Sequence, residues 1–186
     1  RPDCQARAPL GYRPPVPSAP RPPGDVVAVL HEVADAVAAA LGDLDDWGLA
    51  GTRAGQYRSD LAADAVAVER LVAAGFGVLS EETGRHHPER PTTVVVDPLD
   101  GSTNADRGIP WFATSLCAVD ADGPSAAVVV DLARGVRYEA VRGGGARRDG
   151  RPIVPSGRAV LDDAVVGLSG WPGRHLGWRQ YRALGA

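Results

Sequence analysis

The 186-residue chain carries a formal charge of −3 from 20 basic and 23 acidic side chains, with 44% hydrophobic and 23% charged residues. That balance describes a globular domain able to bury a sizeable core. It excludes a basic block for a nucleic-acid polymer or a membrane surface, and no apolar run approaches the roughly 20 residues that span a bilayer. All the basic residues are arginine, and methionine is absent, so the chain reads as processed, trimmed or a fragment. The cysteines, Cys4 and Cys117, lack metal-type spacing and imply no oxidising compartment; Cys117 reads as a small buried hydrophobe.

Residues 1–24 are rich in Pro, Arg and Ala without apolar periodicity, which predicts a mobile tail. They hold no uninterrupted apolar core of a secretory signal. Asp25 can cap a helix over Val26–Leu41, where Val26, Val29, Leu30, Val33, Val37 and Leu41 recur at helical spacing and Gly42 ends the run. His31 on that helix is an ordinary surface or core histidine. A loop follows over Asp43–Gly55. A second helix starts at Ser59 or Asp60, reaches Ala74 and stops at Gly75. Gly77–Ser80 is a short strand ending on Glu81-Glu82. His86-His87 reads as a loop before Pro88, since adjacent residues rarely converge on one ion.

The most informative stretch is Val94-Val95-Val96-Asp97-Pro98-Leu99-Asp100-Gly101-Ser102-Thr103-Asn104. Its β-branched run predicts a buried strand that stops at Pro98, which has no N–H for a ladder. Asp97 then stands at the strand's end and Asp100 three residues on. Gly101 permits a tight turn, and Ser102 and Thr103 can cap a helix or offer N–H groups and hydroxyls to an anion. A hard cation reconciles two carboxylates with an anion: carboxylate oxygens hold Mg²⁺, and Mg²⁺ with backbone N–H groups holds a phosphate. A calcium-binding EF-hand loop fails here, because its third position would be Leu99 and its twelfth Gly108. A haloacid-dehalogenase pattern fails as well, with Leu99 where its second aspartate belongs.

Beyond the motif, Trp111–Val119 predicts a strand, Asp120–Gly123 a turn, and Ala126–Val130 with Gly135–Val141 a hairpin pair. Asp149-Gly150 marks a hairpin turn. Gly143–Gly150 lacks both the spacing and the Lys-Ser/Thr of a nucleotide loop. A short strand over Val165–Leu168 and a helix from Arg174 to Ala186 complete the reading.

The stretch Asp97–Asn104 resembles the signature of the inositol monophosphatase family, Asp-Pro-Ile/Leu-Asp-Gly-Thr/Ser-x-Asn, within the Mg²⁺-dependent, lithium-sensitive phosphatase superfamily. Leu79-Ser80-Glu81-Glu82, 16 residues before Asp97, resembles the family's Gly/Ser-Glu-Glu motif, and Gly143–Gly150 its Gly-x-Gly-Ala-x-x-Asn-Gly stretch. The likeness runs from Asp60 to about Ile153. It implies a layered α/β/α/β/α sandwich, here the N-terminal part over 25–186 and incomplete at the C-terminus, where complete members carry a Trp-Asp motif.

The resemblance also implies a site. Glu81, Asp97 and the Leu99 carbonyl would bind one Mg²⁺, and Asp97 and Asp100 a second. Gly101, Ser102 and Thr103, with Asp100, would meet the phosphate, and Ser102 would orient the attacking water. Glu82 would support the ligands from behind. Asp64 is the candidate base partnering Ser102, with Asp60 the alternative. The implied activity is hydrolysis of a small phosphate monoester by a cytoplasmic, lithium-sensitive enzyme, homodimeric at full length, with a small phosphorylated metabolite as its partner. A non-catalytic fragment or a binding and dimerisation module is the alternative. Without the further aspartate the chain should show little activity. Its strands should lack cover on one face and self-associate.

Overall fold

The computed structural model describes residues 23–165; the tail expected over 1–22, most of the strand expected from Val165 and the helix expected from Arg174 lie outside them. The chain forms two compact units, Arg1–Ile153 and Val154–Ala186. Of the second, the described residues form one 3-10 turn over Leu161–Asp163.

In the first unit the two expected helices are α1 (Pro23–Gly42) and α2 (Arg58–Ala73). α1 begins three residues earlier than the periodicity indicated. Proline costs nothing in a first helical turn, where its missing N–H has no partner to lose. Asp25 therefore lies inside that turn, where its charge meets the positive end of the helix dipole.

Eight strands make one sheet in the order β2-β1-β3-β4-β5-β6-β7-β8. They are β1 (Gly77–Ser80), β2 (Gly84–His86), β3 (Thr93–Asp100), β4 (Ala113–Asp120), β5 (Gly123–Asp131), β6 (Val136–Val141), β7 (Gly145–Arg148) and β8 (Arg151–Ile153). Only β1 and β3 pair in parallel; every other neighbour is antiparallel. His86 belongs to β2, hydrogen-bonded along β1, and not to the loop its neighbours suggested. The Asp149-Gly150 turn is as expected: both residues have positive φ, 48° and 75°, as a two-residue hairpin with right-handed strand twist requires.

α2 packs over β1 and β3, and α1 over β4, β5 and β6. Alternate residues of the strands meet them. Val78, Val94, Val96, Leu116, Ala118, Ala126, Val128 and Val130 are buried against Leu30, Val33, Val37, Ala67 and Leu71. The result is a layered α/β sandwich of helices on a mixed sheet. The intervening residues face the other way, and Leu79, Val95, Val129 and Tyr138 on that face are exposed, Val95 to 41%. Cys117 shares this face in register with Val95, so it is half-buried and not a core residue. Alternation in a two-sided apolar strand does not say which side receives the helices.

Candidate functional site

The site lies where β1 and β3, the one parallel pair, end beside the start of α2. β3 does not stop at Pro98. Asp97 pairs with Ser115 and Asp100 with Ala113, so β3 spends one more residue than β4 over the same interval. The proline occupies this bulge, where its missing N–H costs no ladder bond. The bulge sets the two aspartates near each other at the sheet's end, and the Leu99 N–H returns to Asp97 Oδ1 at 3.2 Å.

Gly101 follows at φ 93° and is the residue preceding α3 (Ser102–Asp106), so it, and not Ser102, takes the helix-capping position. A Cβ there would come within 2.8 Å of the Trp111 carbonyl oxygen. No other residue fits both the left-handed backbone and that approach. The Asn104 amide donates to the same carbonyl at 2.8 Å, closing the loop between α3 and β4.

Together these elements line a cavity of about 180 Å³. Glu81, Asp97, Leu99, Asp100, Gly101 and Ser102 all border it, as the motif reading grouped them. Thr103 is exposed and does not. Asp64 does not border it either: it is 2% exposed, and its carboxylate accepts the hydroxyl of Ser80. The acid that faces Ser102 is Asp60, 4% exposed, whose Oδ2 accepts the Tyr57 N–H at 2.8 Å. Sequence reasoning preferred Asp64 and kept Asp60 as the alternative, although Leu61 stands where the family's threonine precedes that aspartate and Glu69 lies one residue further on than usual. The loop before α2 also contributes, which no periodicity signals: Gln56 and Arg53 both donate to Glu82 Oε2, Arg53 at 2.6 Å.

The electrostatics of the cavity are uncompensated. Burial, the neighbouring Glu81 carboxyl and the charge of Asp100 push Asp97 up to about 7. Burial also raises Asp60, against the opposing pull of the Tyr57 N–H and the Ser102 hydroxyl. Glu82 is raised by burial in spite of Gln56 and Arg53. Among the described residues no cationic side chain lies within ion-pair distance of Glu81, Asp97 or Asp100. Nor do any three acidic, histidine or cysteine side chains already surround one point as a finished ligand set. The donor chemistry nonetheless fits a hard cation: carboxylate and carbonyl oxygens crowd a polar cavity, and their mutual repulsion is what a divalent ion would relieve.

Fold and cavity define an α/β protein with an acidic, oxygen-donor cleft at the end of its parallel strands. The chain belongs to the inositol monophosphatase family, whose model matches residues 56–178. It is 38% identical over 94 residues to a fructose-1,6-bisphosphatase of Pyrococcus furiosus, covering 50% of this chain and 37% of that protein. It is 37% identical over 111 residues to the inositol-1-monophosphatase ImpA of Mycolicibacterium smegmatis, covering 59% and 40%. Among solved structures it is similar to the extragenic suppressor protein suhB of Bartonella henselae, with a TM-score of 0.65 and 30% identity over 72% of this chain and 55% of that one. The chain thus spans roughly two fifths of the length of these two curated relatives and a little over half of this solved structure.

Proposed function

We propose that the chain carries the metal-binding and water-activating part of a Mg²⁺-dependent phosphatase for small phosphate monoesters. The observation that carries this reading is the uncompensated acidic cluster of Glu81, Asp97 and Asp100 beside the Ser102–Asp60 pair. Glu81, Asp97, Asp100 and the Leu99 carbonyl would hold Mg²⁺. When bound, a pair of such ions supplies positive charge for an anionic substrate, acidifies a water and stabilises the leaving oxygen.

The chain's own residues do the rest. Ser102 Oγ, facing Asp60, orients the attacking water, and Asp60, whose burial favours the protonated form, receives the proton. Asp60 takes this role in place of Asp64. The bulge at Pro98 keeps Asp97 and Asp100 together, and Gly101 lets the backbone approach the phosphate without a side chain in the way. Gln56 and Arg53 restrain Glu82, which stays behind the ligands. The names of the two curated relatives support a phosphorylated polyol or sugar as the substrate class. The whole enzyme's dimeric state, lithium sensitivity and location are proposed with it.

The test is release of inorganic phosphate from inositol 1-phosphate and fructose 1,6-bisphosphate. It is run with the chain alone and with the chain completed by the C-terminal portion of the M. smegmatis relative. Mg²⁺-dependent turnover in the completed form that disappears with Asp97→Asn is the expected result. Turnover indifferent to Mg²⁺ or to Asp97 would refute the assignment.

A further inference from the structure

Asp64 is the most deeply buried acid of α2, and the proposed chemistry does not use it. It stands one helical turn beyond Asp60, so both acids lie on the helix face turned toward the sheet. Its carboxylate accepts the Ser80 hydroxyl. Ser80 is itself 4% exposed, and its Oγ accepts the N–H of Glu82 at 3.0 Å and of Thr83 at 3.4 Å. A hydroxyl has one proton and two acceptor lone pairs. With two N–H groups aimed at the oxygen, the single proton points at Asp64. The link therefore has a direction: the Asp64 carboxylate fixes the rotation of the Ser80 hydroxyl, and that hydroxyl fixes the turn that begins at Glu81. The turn's backbone is also tied to β3 by the Glu81 N–H to the Val96 carbonyl at 3.1 Å, and the Glu82 side chain is held from the loop before α2 by Arg53 and Gln56.

We propose that Asp64 is a positioning residue, acting through Ser80 to hold the Glu81-Glu82 turn where Glu81 meets Asp97 and Asp100. α2 then sets the site from both sides. Asp60 faces Ser102 behind the β3 motif, and Asp64 anchors the acidic turn that leaves β1. A carboxylate inside the sheet–helix interface is costly unless its bonds do something an apolar side chain would not. Fixing a turn that carries charge repulsion is such a task. The consequence for Mg²⁺ rests on the metal-site reading above; the restraint on the turn does not.

The experiment uses the 186-residue chain and two readouts, amide hydrogen exchange of Glu82 and Thr83 without metal, and Mg²⁺ affinity by titration. Ser80→Ala and Asp64→Asn should each speed Glu82 exchange about tenfold and weaken Mg²⁺ binding about tenfold, the range that loss of a supporting hydrogen bond produces at metal sites. The double variant should be little worse than either single one, because both break the same link. Ser80→Thr, which keeps the hydroxyl, should restore most of both. Should Asp64→Asn fail to fold, Ser80→Ala, which removes one oxygen atom, decides alone. Glu82 exchange and Mg²⁺ affinity both within about twofold of the parent in Ser80→Ala would overturn the proposal. If the parent binds no Mg²⁺, the metal-site reading fails, while the exchange rates still decide whether Asp64 positions the turn.

Discussion

Two regions of the sheet treat the same chemical group in opposite ways. In the β4–β6 region, Asp131, which closes β5, lies 2.9 Å from Arg134, and Asp120, which closes β4, lies 2.8 Å from Arg142; both carboxyls are held below their ordinary range by those guanidinium groups. At the β1–β3 end, Asp97 is pushed up to about 7 by burial and by Glu81 and Asp100. The chain has 20 basic residues to distribute, and among the described ones only Arg53 comes to the cleft, where it pairs with Glu82 and not with the central cluster. Charge is balanced by arginine in one region and left unbalanced in the other, where the proposed function places a cation.

Removing the strained acid is the strongest way to break this contrast. Asp97→Asn should abolish protection of the chain by Mg²⁺ in thermal melts while leaving the metal-free protein as stable as the parent or more so, since the repulsion goes with the charge. A metal-free protein clearly destabilised by the change would mean that Asp97 is a structural anchor.

Gly101→Ala comes next. It places a Cβ 2.8 Å from the Trp111 carbonyl at a left-handed φ, which should cost about 2 kcal/mol of stability or more. A melting temperature equal to the parent's would show that the loop moves aside freely.

The pH dependence sharpens the comparison because its sign differs between the two regions. In the unfolded chain Asp97 titrates near 3.8, and in the folded one near 7, so the folded state binds that proton more tightly. Stability from this group is present below about pH 4 and is lost as pH rises through about 7, so the metal-free protein should soften on alkalinisation. Asp120 and Asp131 act oppositely. Their contribution is present above the ordinary carboxylate range and is lost on acidification, weakly because their arginine partners are exposed and water screens the pairs. Chemical denaturation midpoints at pH 5 and pH 8, with and without Mg²⁺, check this. A flat profile without metal would contradict it.

The smallest effect is expected for Arg134→Ala, which removes an exposed guanidinium and its pair with Asp131 and should leave the melting temperature nearly unchanged and Mg²⁺ binding intact.

Much of the fold was legible from the sequence because local signals agree with tertiary placement. The heptad-like apolar spacing of 26–41, the Asp149-Gly150 turn and the β-branched run into Asp97 each emerged as read. What failed depended on neighbours. Pro98 stays in β3 only because β4 accommodates a bulge, and His86 forms a strand only because β1 offers an open edge. The acidic residues of the cleft were legible as a linear motif. Asp60 and Asp64 could not be told apart, because one helical turn separates them and both face inward. Only the positions of Ser102 and Ser80 distinguish them. Arg53 and Gln56 come from an irregular loop whose path no periodicity encodes.

The account turns on whether the acidic cleft binds a divalent cation. Calorimetric titration of Mg²⁺ into the 186-residue chain near pH 6.5, in two buffers of different ionisation enthalpy, tests this most directly. The account predicts saturable binding with net release of a fraction of a proton, as Asp97 gives up the proton its neighbours forced on it, and loss of both binding and proton release in Asp97→Asn. Absence of binding, or binding that is indifferent to Asp97 and releases no proton, would contradict it.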